Sequence, residues 1–170
     1  MKKKLTAIIL VCVMMVSLLP VIAYAKSGSC GENVSYSLED DVLTIYGTGD
    51  MADYSFDKTK RAPWYATEST IKEVIIEDGV TSIGNYAFAY CHVLEKVTIP
   101  DSVAKIGNNA FYLDYELQDF TIPENVSEIG FSAFYSCRKL KHMEIPEKVE
   151  SISYIFEYCE NLESITIPKT

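Results

Sequence analysis

The chain has 170 residues, a net charge of −9 and a sequence pI of about 4.7. This acidic balance disfavours nucleic acid and anionic membranes as partners, because both require a positively charged protein face. The length fits one domain, and the apolar fraction of 48% is sufficient for a hydrophobic core.

The first 25 residues have the pattern of a cleaved secretory signal peptide. Three lysines at positions 2–4 precede an almost wholly apolar run from Leu5 to Leu19, and Ala23-Tyr24-Ala25 offers a cleavage site. Pro20 interrupts the run, which is shorter than the roughly 20 residues needed to span a bilayer. Cleavage leaves 12 basic against 24 acidic residues, a net charge of −12. We therefore predict a secreted or cell-surface protein with no membrane span after cleavage.

Residues 26–70 differ from the rest of the chain and are predicted to form an N-terminal capping segment. Apolar and polar residues alternate from Val34 to Leu38 and again from Leu43 to Ile45, with a turn at Asp40-Asp41, which is the pattern of a β-hairpin. Residues 51–62 lack periodicity and are predicted to be loop. A stack of repeats needs terminal units that cover its apolar end, so a cap is the expected role of this segment.

From residue 71 to residue 170 an apolar pattern recurs about every 23 residues. In the unit from Leu94 to Glu116 the pattern consists of Leu94, Val97, Ile99, Val103, Ile106 and the pair Ala110-Phe111. The fourth repeat lacks one residue and has Ser153 where the others have glycine, so the copy that follows arrives at an offset of 22. A repeat of this length with matching apolar positions predicts units that stack on one another.

Each unit is expected to contain a short strand, a bend and a short helical turn. Residues 96–99 alternate and are rich in β-branched side chains, and Pro100 ends the strand because it has no N–H to donate. Gly107 allows a tight bend before a helical turn that carries Ala110 and Phe111 inward. We predict a mainly β, right-handed repeat solenoid with short helical turns. Its strands should lie near 74–76, 97–99, 120–122, 143–145 and 165–167, in one parallel sheet.

Four cysteines remain after removal of the signal: Cys30, Cys91, Cys137 and Cys159. The last three occupy one column of the repeat, three residues before the leucine that opens each strand, where a thiol suits a small buried apolar position. Asp114 stands in the same column of the second unit. Cys137 and Cys159 lie in adjacent units, where strand spacing would also allow a disulfide. The sequence leaves both interpretations open.

The repeat residues resemble a known family. Val97-x-Ile99-Pro100-x-x-Val103-x-x-Ile106-Gly107-x-x-Ala110-Phe111, with Cys-x-x-Leu at residues 91–94 and 137–140, resembles the BspA-like leucine-rich repeats. The stretch from Cys30 to Tyr65 resembles the N-terminal module that often precedes them. The resemblance covers about residues 30–168. It implies a secreted or surface-displayed protein that adheres to proteins of a host or neighbouring cell. It implies no particular ligand, because the matching residues are scaffold.

Outward-facing strand positions are the candidate binding residues. They form two rows: Glu73, Lys96, Asp119, His142 and Ser164, beside Ile75, Thr98, Thr121, Glu144 and Thr166. The alternative is that these are simply solvated β-positions. No nucleophile motif, phosphate-binding loop or metal-ligand spacing occurs, and the aspartates at positions 50, 53 and 57 miss the calcium-loop pattern. We therefore predict no catalytic activity, no cofactor and no metal.

A second functional hypothesis concerns assembly. Ser164 to Pro168 is expected to form a last strand whose Ile165 and Ile167 are partly exposed, and exposed strand edges template pairing. Pro168 removes one backbone N–H donor and Lys169 adds a charge, and together they protect the strand edge from pairing only partly. The chain would then be a structural or assembly fragment of a longer surface protein, with weak self-association through this end.

Overall fold

The structure, a computed structural model, describes residues 26–168. The predicted signal peptide (residues 1–25) and the last two residues (169–170) lie outside the described residues. The elements in chain order are β1 (Lys26–Ser29), β2 (Val34–Glu39), β3 (Val42–Gly47), β4 (Gly49–Asp50), a 3-10 helix (Tyr65–Thr70), β5 (Glu73–Ile76), β6 (Val80–Ile83), β7 (Lys96–Thr98), β8 (Lys105–Ile106), β9 (Glu128–Ile129), β10 (His142–Glu144) and β11 (Ser164–Thr166). This is a mainly β protein with little helix.

The N-terminal segment contains the predicted hairpin. Strands β2 and β3 pair antiparallel, and β1 adds to the outer edge of β2. Asp40 sits in the turn with a φ of 53°, a left-handed conformation that aspartate tolerates better than most residues. Strand β3 then pairs parallel with β5, so the hairpin and the first repeat share one sheet in the order β1-β2-β3-β5-β7.

The repeats stack through parallel strands on two sides of each unit. On one side β5 pairs with β7, with Glu73 opposite Lys96 and Val74 opposite Val97. On the other side β4, β6, β8 and β9 form a second parallel sheet, with Ser82 opposite Lys105. The predicted parallel pairing is confirmed, and the strands begin one residue earlier than predicted. The prediction that the fourth unit is one residue shorter is also confirmed, because His142 pairs with Ser164, which lies 22 residues later in the chain.

The prediction of a strand at 120–122 within a single sheet is wrong. Asp119 forms one isolated bridge to Lys96, and residues 120–122 are not in a strand. Among residues 26–168, β10 and β11 therefore form a separate two-stranded sheet. Phe120 occupies the inward position that Val97 and Met143 fill elsewhere. Its ring packs edge-on against Phe111 at 5.1 Å and Phe134 at 4.7 Å. We attribute the interruption to this larger side chain, which holds the backbone away from regular pairing.

A row of stacked aromatic rings runs through the core. Trp64 stacks on Phe88 with ring centroids 5.8 Å apart, and Phe88 stacks on Phe111 at 5.4 Å. The row continues from Phe111 to Phe134 at 5.4 Å and to Phe156 at 5.6 Å. Trp64 belongs to the N-terminal segment, and its indole N–H donates to the carbonyl of Ala87 at 2.9 Å. The N-terminal segment and the repeats therefore share one continuous core.

A glycine column marks where successive units approach most closely. A Cβ on Gly107 would lie 2.6 Å from the backbone nitrogen of Asn85, and one on Gly130 would lie 2.4 Å from that of Asn108. The same asparagines bond to the next unit, since the Asn108 Oδ1 accepts the backbone N–H of Phe131 at 2.7 Å. Ser153 replaces glycine in the fourth unit and has a side chain that this contact excludes. Residues 151–153 accordingly do not extend the second sheet.

The cysteine column contains free thiols. Cys91 and Cys137 are fully buried, and Cys159 is partly buried. The Cys137 Sγ donates to the carbonyl of Phe111 at 3.2 Å, and the Cys159 Sγ donates to that of Phe134 at 3.1 Å. Burial raises the pKa of the Cys159 thiol to about 11 and that of Cys30 to about 12. The structure thus shows these residues as small buried groups and not as a disulfide.

The aromatic row predicts a large cost for truncating its central ring. Phe111 is fully buried, so Phe111→Ala is expected to lower the free energy of unfolding by about 3–5 kcal/mol through lost burial and the cavity left behind. Phe131→Ala is the matched control, because Phe131 is 53% exposed and should lose less than about 1 kcal/mol. Denaturant melts measure both values. Equal losses in the two variants would contradict the central position of Phe111.

Asp114 is the one residue of the cysteine column with an ionisable carboxyl group. It is fully buried, and neither carboxyl oxygen has a hydrogen-bond partner. Burial raises its pKa well above the usual range, which favours the protonated carboxyl in the folded protein. In the unfolded chain it ionises above a pH of about 4. Unfolding therefore favours release of this proton, and Asp114 makes the fold less stable as the pH rises above the unfolded pKa.

This linkage predicts that Asp114→Asn stabilises the protein at pH 7 but not at pH 3. Asparagine has nearly the same shape and cannot ionise in the unfolded state. We expect the melting temperature at pH 7 to rise by several degrees, since about 1 kcal/mol corresponds to about 2–4 °C in a domain of this size. Asp119→Asn, at an exposed position, is the control and should show no such difference. An equal rise in melting temperature at pH 7 and pH 3 would show that ionisation of Asp114 in the unfolded chain is not the cause.

Candidate functional site

The register of strand pairing shows which side chains of the two predicted outward rows lie beside each other. Strand pairing places Glu73 beside Lys96 and Ile75 beside Thr98, and a bridge adds Asp119 to Lys96. Farther along, pairing places His142 beside Ser164 and Glu144 beside Thr166. All ten positions except Glu73 and Ile75 are exposed. The rows therefore form two aligned groups with the irregular segment 119–123 between them.

Two hollows flank this irregular segment on the strand face. The larger, of about 550 Å³, lies between the second and third units and is bordered by Thr98, Asp101, Asp119 and Thr121. The smaller, of about 230 Å³, is bordered by Thr121, His142, Glu144 and Thr166. Thr121 borders both hollows. The interruption of the sheet thus turns a flat row of side chains into a surface with two depressions at its centre.

The charges of this face are only partly compensated. Lys96 pairs with Glu73 at 2.9 Å, and this hydrogen bond raises the pKa of Lys96. Within the described part of the chain, neither Asp119 nor Glu144 takes part in an ion pair. Two free carboxylates therefore lie beside hydroxyl groups on an exposed surface, an arrangement that favours a partner rich in basic and hydrogen-bonding groups.

One group on this face has the composition of a catalytic triad but not its geometry. The His142 Nδ1 lies 2.9 Å from the Ser164 Oγ, and its Nε2 lies 3.9 Å from the Glu163 carboxylate. All three side chains are exposed to solvent. A triad needs a tightly bonded base held by a buried acid, with donors that stabilise an oxyanion in an enclosed site. The group is one surface hydrogen bond, between His142 and Ser164, with a carboxylate nearby.

A row of tyrosines was missed by the sequence reasoning. It lies on the turns that follow each Ala-Phe pair, away from the strands. Tyr90 contacts Tyr112 with ring centroids 5.8 Å apart, Tyr112 stacks on Tyr135 at 4.8 Å, and Tyr135 contacts Tyr158 at 5.0 Å. The signal was present in the sequence, because Tyr112 and Tyr135 share one repeat column and the chain has 12 tyrosines. Phe56 extends the row into the N-terminal segment at 5.4 Å from Tyr90.

Membrane-spanning helices and metal-ligand clusters are two further features that would define a kind of site. None of the helices between residues 26 and 168 has the length and apolar character needed to cross a bilayer. In the same range there is no group of three or more histidine, cysteine or acidic side chains that could hold a metal ion. Asp50, Asp53 and Asp57 accept separate hydrogen bonds from Thr81, Asn85 and Thr59.

The fold and its exposed faces define a class of protein. Parallel strands repeated every 23 residues, inward apolar columns and outward polar rows are the features of a leucine-rich-repeat protein. The sequence profile of the BspA type leucine rich repeat region matches residues 63–170 in six copies. The chain belongs to this family, whose repeats typically serve as protein–protein interaction modules and form a non-enzymatic binding fold.

Solved structures of bacterial leucine-rich-repeat proteins are similar to this chain. One from Eubacterium ventriosum is 33% identical, with a TM-score of 0.68 over 85% of this chain and 44% of that chain. A leucine rich cell surface protein from Faecalibacterium prausnitzii is 30% identical, with a TM-score of 0.61 over 84% and 43%. The pneumococcal vaccine antigen PcpA is 27% identical, with a TM-score of 0.56 over 79% and 35%. The chain spans less than half the length of each of these proteins. No curated protein matches the sequence.

Proposed function

We propose that this chain is a secreted or cell-surface adhesion module that binds a protein of a host or neighbouring cell through its strand face. The observation that carries the proposal is the exposed strand face itself, where free carboxylates and hydroxyls surround two hollows. The net charge of −12 after signal cleavage favours a partner with a basic surface. The signal-like residues 1–25 and the similarity to a cell surface protein and a vaccine antigen support an extracellular location.

The architecture proposed for this function is a right-handed solenoid with an N-terminal cap. Residues 26–70 form the cap in this proposal and residues 71–170 form the repeats. The stacking of Trp64 on Phe88 and the parallel pairing of β3 with β5 support the assignment, because both cover the apolar side of the first repeat. The resulting stack presents its outward strand residues as one extended surface, which is how repeat proteins commonly bind partners.

Reversing the charge at the centre of the strand face tests the proposal. Asp119→Lys with Thr121→Lys should abolish capture of purified extracellular-matrix proteins and of intact host cells that bind the parent protein. The cause would be the loss of a carboxylate and the obstruction of both hollows. The melting curve should remain unchanged, since both positions are exposed.

A matched control comes from the same repeat. Glu124→Lys with Ser127→Lys makes the same change in net charge at exposed positions outside the two hollows. This variant should bind like the parent. Full binding by the strand-face variant, or an equal loss in both variants, would show that the strand face is not the binding surface.

A second function, assembly through β11, is supported by a separate observation. Ile165 and Ile167 on this segment are 40% and 61% exposed, and β11 pairs only with β10 among the described strands. Exposed apolar residues on an open strand edge favour pairing with a second chain. In this proposal the chain self-associates weakly through β11.

Sedimentation at high micromolar concentration tests the assembly hypothesis. The parent should show a concentration-dependent mass, whereas Thr166→Lys with Ile167→Lys should be monomeric and folded, because two lysines on the edge repel each other across the contact. Ser151→Lys with Ile152→Lys, at exposed positions of the preceding unit, should associate like the parent. A parent that sediments as a monomer would exclude this function.

A further inference from the structure

A cleft lies where the N-terminal segment meets the first repeats. Its walls are formed by six aromatic side chains: Tyr54, Phe56, Trp64, Tyr65, Tyr86 and Tyr90. Phe56 of the N-terminal segment packs edge-on against Tyr86 at 4.5 Å and Tyr90 at 5.4 Å of the first repeat, and these two contacts tie the sides of the cleft together. Tyr54 packs edge-on against Trp64 at 5.9 Å within the N-terminal segment. The volume of about 240 Å³ is larger than the roughly 150 Å³ cavity that holds a benzene ring. One substituted six-membered ring therefore fits.

Two charged side chains, Arg61 and Glu68, also line the cleft. The Arg61 guanidinium stacks 3.6 Å from the centre of the Tyr65 ring. The Arg61 Nε and the Glu68 Oε2 are both buried without a hydrogen-bond partner, and the two side chains do not form an ion pair. Buried polar atoms of folded proteins nearly always have a partner. The cleft therefore holds one donor and one acceptor that a ligand can satisfy.

The charges of the cleft select the chemistry of that ligand. An anionic ligand would satisfy Arg61 but be repelled by Glu68, and a cationic ligand would satisfy Glu68 but be repelled by Arg61. A neutral ligand that both accepts from Arg61 and donates to Glu68 satisfies the two groups together. Vicinal hydroxyl groups on a sugar ring do this, because each hydroxyl is donor and acceptor at once. The C–H faces of the same ring supply the apolar surface that the aromatic walls require.

We propose that this cleft binds a neutral pyranose unit of a glycan. Arg61 and Glu68 would bond adjacent hydroxyls after a small side-chain rotation, and the aromatic walls would pack against the ring. This site is separate from the strand face and does not rest on the adhesion function proposed above. It gives the chain a carbohydrate-binding activity located at the junction of the N-terminal segment and the repeats.

Trp64 provides a direct readout, because it lines the cleft and is the only tryptophan in the chain. Its emission should change saturably on titration of the full chain with glucose, galactose, mannose or N-acetylglucosamine. Acetate and methylammonium, as anionic and cationic probes, should give no saturable change. Saturation-transfer NMR should show contact between the sugar ring protons and aromatic side chains of the protein.

Variants of the two charged residues separate recognition from folding. Arg61→Ala and Glu68→Ala should each weaken sugar binding by about 10–100-fold, the scale of one hydrogen bond to a charged group. Lys60→Ala and Glu77→Ala, at exposed positions outside the lining, should bind like the parent. Asp119→Lys with Thr121→Lys should leave sugar binding intact, which distinguishes failure of this site from failure of the strand face.

The source of the sugar is tested with macromolecules. A glycoprotein and a soluble polysaccharide that carry the preferred sugar should both compete with the monosaccharide, and the glycoprotein should lose this effect after enzymatic removal of its glycans. Competition that survives deglycosylation would overturn the proposal. So would the absence of an emission change with every sugar, or unaltered binding by both Arg61→Ala and Glu68→Ala. If a variant fails to fold, the saturation-transfer result on the parent decides.

Discussion

The hydrogen bonds between successive repeats are the interaction on which the rest of the structure depends. The Phe88 N–H donates to the carbonyl of Ala110 at 2.8 Å, and the Phe111 N–H donates to that of Ala133 at 2.8 Å. A single repeat would leave these groups unpaired, so each unit is stable only beside its neighbours. The same bonds require the backbones of successive repeats to approach closely. Glycine therefore occupies the column at 84, 107 and 130, and the aromatic rings of successive repeats stack in the core.

This constraint assigns the inward columns to packing and leaves recognition to outward side chains. The strand face and the aromatic cleft differ in chemistry because they arise from different parts of the chain. The strand face is polar, with free carboxylates at Asp119 and Glu144, and suits a basic protein surface. The cleft combines aromatic walls with one acid and one base and suits a neutral ring. Burial raises the pKa of Glu68 to about 7, so its protonation changes near physiological pH.

The periodic sequence pattern made the repeats predictable. The sheet interruption and the aromatic cleft were not predictable, because they depend on contacts between residues that are distant in the sequence. The parallel strands, the inward position of Phe111 and the offset of 22 before Ser164 follow directly from the sequence pattern. The interruption at Phe120 does not, because this ring meets Phe111 of the preceding repeat and Phe134 of its own repeat only in the folded chain. The cleft was also missed, since Arg61 and Glu68 belong to the N-terminal segment, outside the repeat pattern, and line a cleft with Tyr86 only in the folded chain. The binding role of the strand face stays a prediction.

The four free thiols in the described residues 26–168 can report where the fold opens. A thiolate is the reactive form of cysteine, and burial disfavours it by raising the thiol pKa. The buried thiols of Cys30, Cys91 and Cys137 should therefore react only when their own layer separates from the next, whereas Cys159 is partly exposed and less protected. Cys30 reports on the N-terminal segment, Cys91 on the first repeat, and Cys137 and Cys159 on later repeats. Labelling rates at these positions would map, layer by layer, where the stack comes apart.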